Sequence, residues 1–139
     1  MDKNDWIVFF LIGLILVLLL FVRVPYNPPD VIRNIKAKIS YIDPRFATFD
    51  IRESNDKSYT ENKSTVYLCT KDPKTSEYYS DNTLIYVVLH ECAHMIDPKH
   101  NDGHDESYKQ IFKNLLNKAE SLGLYDSKIP IPPTYCGLN

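Results

Sequence analysis

The sequence is poor in cysteine and methionine, has little net charge, and carries no internal repeat or low-complexity tract. Its three cysteines, Cys69, Cys92 and Cys136, form no CxxC pair and no even-numbered disulfide framework. They fit a reducing compartment, with one Cys69–Cys136 bridge as the alternative. A net charge of −2 excludes a broad nucleic-acid-binding surface, though not a local basic patch. Methionine occurs only at Met1 and Met95, an absence that matters below. At 139 residues the chain holds one domain at most, and nine prolines make much of it connecting loop.

What is present begins with a long apolar run. Trp6 to Val22 has no charge and a single glycine, and Leu, Ile, Val and Phe dominate it. At helical rise the run covers roughly 26 Å, which with Val24 approaches a thin bilayer's hydrocarbon thickness. No small-x-small cleavage site follows it. The sequence therefore predicts a transmembrane anchor over residues 1–24, a proline-rich linker over 25–30 and a folded domain over 31–139. Arg23, Arg33, Lys36 and Lys38 after the run, against Lys3 before it, predict a single-pass membrane protein whose C-terminal domain is cytosolic. The sequon Asn62-Lys63-Ser64 pulls the other way, towards a lumenal domain.

Within the domain, Asp30 is placed to cap a helix whose Ile32, Ile35 and Ile39 share a face opposite Arg33, Lys36 and Lys38. Pro44 ends it. Phe46–Ile51 and Thr65–Cys69 read as strands separated by a polar turn. A second helix enters after Asp81 or Asn82 as cap and continues through Leu84-Ile85-Tyr86-Val87-Val88-Leu89. Pro98 breaks it. A last helix, from about Asp105 to Leu122, carries an apolar stripe of Ile111, Phe112, Leu115, Leu116, Ala119 and Leu122, and Gly123 stops it. The tail Ile129–Gly137 is extended and proline-rich.

The chemistry concentrates in His90-Glu91-Cys92-Ala93-His94. Residues four apart lie on one helix face, so His90 and His94 can bind one zinc ion while Glu91 holds a water beside it. Cys92 sits about 200° round the axis from His90 and reads as a small buried hydrophobe. Asp97 is a candidate acceptor for a ligand histidine, its plainer account being an Asp-Pro turn.

A catalytic zinc site needs a third protein ligand, and His100 and His104 are the candidates. His100 has the spacing of the pattern HExxHxxGxxH. That pattern requires a glycine where Asp97 stands and a methionine turn downstream, and this chain has neither. His104, in Gly103-His104-Asp105 at the head of the last helix, is the better placed.

HECAH followed by a loop and then GHD before an amphipathic helix resembles the SprT-like and WLM zinc metallopeptidases. The likeness is nearest to small WLM-like peptidases encoded by large DNA viruses. It runs through Thr65–Cys69, Asp81–Val87 and the HECAH helix to Tyr135-Cys136-Gly137, most of residues 60 to 139. The resemblance implies an α+β fold: a small zincin-like domain with a few-stranded sheet, an HExxH helix and a C-terminal amphipathic helix, here behind one N-terminal transmembrane helix. It also implies zinc held by His90, His94 and His104, with Glu91 as general base and acid. Tyr135 is a candidate oxyanion donor by the same likeness, and Tyr108 is a second candidate.

The predicted function is a membrane-anchored zinc peptidase acting on a protein or peptide substrate. The alternative is a catalytically silent, zinc-stabilised, membrane-tethered binding protein. The resembled families are associated with proteins crosslinked or bound to DNA, but this chain has no separate DNA-binding module and no basic tail.

Overall fold

The computed structural model describes residues 3–22, 25–99 and 103–137. Its elements run α1 (Lys3–Phe21), α2 (Asp30–Ile42), a 3-10 turn (Pro44–Thr48), β1 (Asp50–Ser54), β2 (Tyr59–Glu61), β3 (Thr65–Cys69), α3 (Asp81–Ile96), α4 (Glu106–Ser121) and a closing 3-10 turn (Tyr135–Gly137). This is an α+β arrangement of three strands packed against helices.

The N-terminal segment corrects the prediction of a membrane anchor. Among the described residues no helix is long and apolar enough to cross a membrane. The helix begins at Lys3, has Asp5 in its first turn and ends at Phe21, before Val22. Its uncharged part, Trp6–Phe21, spans about 24 Å at helical rise, against a hydrocarbon core of about 30 Å. Arg23 and Val24 lie outside the described residues. The single-pass topology and the cytosolic orientation read from it fall with the anchor. The apolar side chains of α1 are exposed and take no part in the core.

The sheet has strand order β1-β3-β2. β1 runs parallel to β3, Asp50 opposite Thr65 and Ser54 opposite Cys69. β2 and β3 form an antiparallel hairpin, Tyr59 opposite Tyr67. Its turn places Asn62 at φ 50° and Lys63 at φ 52°, and Ser64 N–H donates to Glu61 O at 3.1 Å. Two consecutive positive φ angles match the right-handed twist of a tight hairpin. Stacking of Tyr59 on Tyr67, centroids 4.7 Å apart, covers the face above it. The predicted strand Phe46–Ile51 starts later than expected. Pro44 and the Asp43 side chain, which accepts from Arg45 N–H, wind residues 44–48 into a 3-10 turn and bury Phe46.

Helix α3 is the axle of the domain. Leu84, Ile85, Val88, Leu89, Cys92 and Ala93 are all buried, so the helix is covered on most of its circumference. It packs against α4, α2, β3 and β2. Ile32, Ile35, Ile39 and Ile42 bring α2 onto it, with Lys38 paired to Asp81 at its first turn. Its cap is Ser80, whose side chain accepts from Thr83 N–H, rather than Asp81 or Asn82. Those two side chains are turned outwards: Asp81 meets Lys38, and Asn82 meets the tail. Likewise Pro29, not Asp30, occupies the cap position of α2.

Candidate metal centre

α3 ends where chemistry can begin. Asp97 closes the helix, its N–H bonded to Ala93 O. Its buried side chain accepts from Lys99 N–H at 3.2 Å and from Ser107 Oγ at 3.0 Å. One carboxylate thereby fastens the end of α3 to the first turn of α4. Asp105 caps α4 by accepting from Tyr108 N–H at 3.0 Å. These two aspartates fix the link that carries His104, and they account for Asp97 as a turn residue. His100 lies outside the described residues.

His90, His94 and His104 come together, one ring nitrogen of each lying within 4.8 Å of the others. His104 Nε2 lies 3.2 Å from His94 Nε2 and 3.3 Å from His90 Nε2. A neutral ring nitrogen offers one hydrogen or one lone pair, so His104 Nε2 cannot serve both neighbours well by hydrogen bonding. Two nitrogens bound to one tetrahedral zinc at its ordinary bond length stand about 3.3–3.4 Å apart. The two His104 separations match that spacing, and three imidazoles are donors of the kind and number a catalytic zinc takes.

The electrostatics match. Burial, and then the proximity of His94 and His104, lowers the His90 pKa to about 4. The ring is held neutral, as a metal ligand must be. Tyr108 governs its tautomer. The Tyr108 hydroxyl lies 2.7 Å from His90 Nδ1 and 3.2 Å from His90 O. With Nδ1–H donating to Tyr108 and the hydroxyl donating onward to the carbonyl, both contacts are satisfied and Nε2 keeps its lone pair. The Tyr108 ring also stacks on His94, centroids 4.2 Å apart. Phe112, one turn on, presents an edge to His90 at 5.4 Å.

Glu91 is 8% exposed, and burial raises its carboxyl pKa against the opposing effect of a hydrogen bond from Thr60. That bond, Thr60 Oγ1 to Glu91 Oε2, is 2.9 Å. Thr60 escaped the sequence reading because β2 is three residues long and polar; its only signal was alternation with Tyr59. Cys92 is fully buried and its thiol pKa is raised by that burial, in keeping with its reading as a small hydrophobe.

Tyr135 sits beside the site, with its hydroxyl already engaged. Cys69 N–H donates to Ser58 Oγ at 2.8 Å, Ser58 lies 2.7 Å from Tyr135 Oη, and Tyr135 donates to Cys69 O. The one phenolic proton is thus directed at a backbone carbonyl. Cys69 and Cys136 are joined by a disulfide, Cα atoms 6.3 Å apart, which makes the bridged alternative the one observed. Ser58, Tyr86, Val87, His90, Glu91, Ile131 and Tyr135 enclose a cavity of about 240 Å³ next to the histidines.

The chain is similar to three uncharacterized viral proteins. It is 38% identical to one from Invertebrate iridescent virus 6 over 80% of this chain and 64% of that protein. It is 42% identical to one from Invertebrate iridescent virus 3 over 59% of this chain and 50% of the relative. The third, from Acanthamoeba polyphaga mimivirus, is 35% identical over 58% of this chain and 42% of the relative. The chain thus spans less than two thirds of the length of the curated relatives it matches. No family model and no solved structure matches it.

Proposed function

We propose that this chain is a zinc-dependent peptidase of the WLM/SprT-like kind, with His90, His94 and His104 as ligands and Glu91 as the general base and acid. The observation that carries the reading is the convergence of three histidines beside a buried carboxylate, His104 Nε2 lying at tetrahedral-edge distance from both His90 Nε2 and His94 Nε2. Bound there, zinc would supply Lewis acidity to a water and to a carbonyl oxygen. Glu91 takes the proton of the attacking water and returns it to the leaving amine. Its raised pKa suits a group that must hold a proton in mid-reaction, and Thr60 fixes which oxygen is free to do so. Tyr108 holds His90 in its ligating tautomer.

The test compares wild-type full-length chain with Glu91→Gln on a denatured protein substrate, with zinc content measured on both. Equal zinc near one per chain, and cleavage reduced by about 10²–10⁴-fold in the variant, is the expected result. Equal zinc with no cleavage by either form would sink the enzyme reading and leave a zinc-stabilised binding protein.

A further inference from the structure

The cavity beside Glu91 has two unlike walls. One is α3, which contributes Tyr86, Val87, His90 and Glu91. The other is the C-terminal tail, which contributes Ile131 and Tyr135, with Ser58 between them. The tail is pinned on either side of Ile131 along the chain. At one end Asn82 Oδ1 accepts from Asp126 N–H at 2.7 Å, and Asn82 Nδ2 donates to Asp126 O at 3.2 Å. At the other, Cys136 is bonded to Cys69, Cys136 N–H donates to Tyr79 Oη at 2.9 Å, and Tyr135 closes its ring of bonds with Ser58 and Cys69. Between the pins runs Pro130-Ile131-Pro132-Pro133-Thr134, three of whose five residues have no amide hydrogen and a fixed φ. The strap is stiff, and its stiffness serves to hold Ile131 over the cavity.

The lining defines what fits. The hydroxyls of Ser58 and Tyr135 are consumed by each other and by Cys69. The polar groups left are His90 and Glu91, which belong to the reaction, and the Tyr86 hydroxyl. A charged or amide side chain entering the cavity would lose its water for one phenol at most, that of Tyr86, whereas an apolar one meets the Tyr86 ring, Val87 and Ile131. About 240 Å³ admits a side chain of leucine to phenylalanine size.

Resting on the peptidase reading, we infer that this cavity receives an apolar side chain flanking the scissile bond. Its selectivity depends on a strap that the Cys69–Cys136 bond fastens in place. Substrates are then polypeptides presenting Leu, Ile, Met or Phe at the cut, and loss of the disulfide relaxes the choice without touching the zinc ligands.

The test uses zinc-loaded full-length chain and peptides differing only in one residue flanking the scissile bond, placed on either side in turn. kcat/KM for Leu or Phe should exceed that for Asp or Lys at least tenfold on one side. Ile131→Asp should collapse that ratio, Ile131→Ala should lower it, and Cys136→Ser should lower it with zinc content unchanged. Equal rates for all residues on both sides overturn the subsite; an undiminished ratio in Cys136→Ser overturns the fastening. A second arm needs no turnover: the Ile131 methyl resonance is followed while N-acetyl-leucinamide or N-acetyl-aspartamide is added to the full chain. A shift with the first alone supports the subsite even where the peptidase reading has failed. No shift with either overturns it.

Discussion

The two walls of the cavity are built on opposite principles. α3 is held by area: six of its residues are fully buried, and neighbours on several sides share the load. The tail is held mainly by points: one disulfide, one tyrosine ring of hydrogen bonds, the Cys136–Tyr79 bond and one asparagine, with Tyr135 and Cys136 its buried residues. A wall held by area keeps ligand positions fixed through small perturbations. A wall held by points can be loosened by changing one covalent bond. On the proposed reading the catalytic groups sit on the first wall and selectivity on the second, so that the site would alter what it accepts while leaving its histidines in place.

The largest expected effect attacks the first wall. Leu89→Ala removes a fully buried side chain and should cost about 2–5 kcal/mol in urea unfolding. A loss below about 1 kcal/mol would show that α3 can collapse around the gap and is not the rigid partner.

Replacing Cys69 and Cys136 together by serine should cost about 2–4 kcal/mol, since the bond closes a loop between residues 67 apart in sequence. The sharper readout is hydrogen exchange. Amides near 129–136 should lose protection relative to α3, and equal loss in both would erase the distinction between the walls.

Tyr108→Phe leaves packing nearly intact and removes the hydroxyl on His90 Nδ1, so zinc affinity by chelator competition should fall about 10–100-fold. An unchanged affinity would mean that the hydroxyl does not set the tautomer. Tyr135→Phe breaks the ring that ends at Cys69 O and should cost about 1–2 kcal/mol with zinc affinity unchanged. Those two phenols then separate metal-holding from tail-holding.

The smallest effect is a control away from both walls. Arg45 beside Asp43 lowers the carboxyl's pKa. A depressed folded pKa stabilises above the ordinary carboxylate value and is lost as pH falls through the folded one. Asp43→Asn should therefore cost about 1 kcal/mol or less at neutral pH, and the gap to wild type should close in acid.

The comparison also explains what could be read from the chain. His90 and His94 were legible because four-residue spacing on a helix leaves one geometry, and His104 because its helix head is marked by Gly103 and the Asp105 cap. The cap of α3 was not, since Ser80, Asp81 and Asn82 are all good caps in isolation. Only tertiary structure assigns one to the helix, one to Lys38 and one to the tail. Thr60 was hidden for the same reason, its partner being 31 residues away, and the cystine, whose halves are 67 residues apart, could be read only as an alternative. The apolar N-terminal run misled through composition. Its residues have the character of a spanning helix, and its helical length falls short of one.

Cys92 gives the molecule a built-in gauge. With Cys69 and Cys136 joined, it is the free thiol of the chain, fully enclosed and with its pKa raised by that enclosure. A maleimide should find nothing to alkylate until α3 parts from its neighbours. The labelling rate of unmodified protein then counts openings of the helix that carries His90 and His94 one molecule at a time, blind to any movement of the strap.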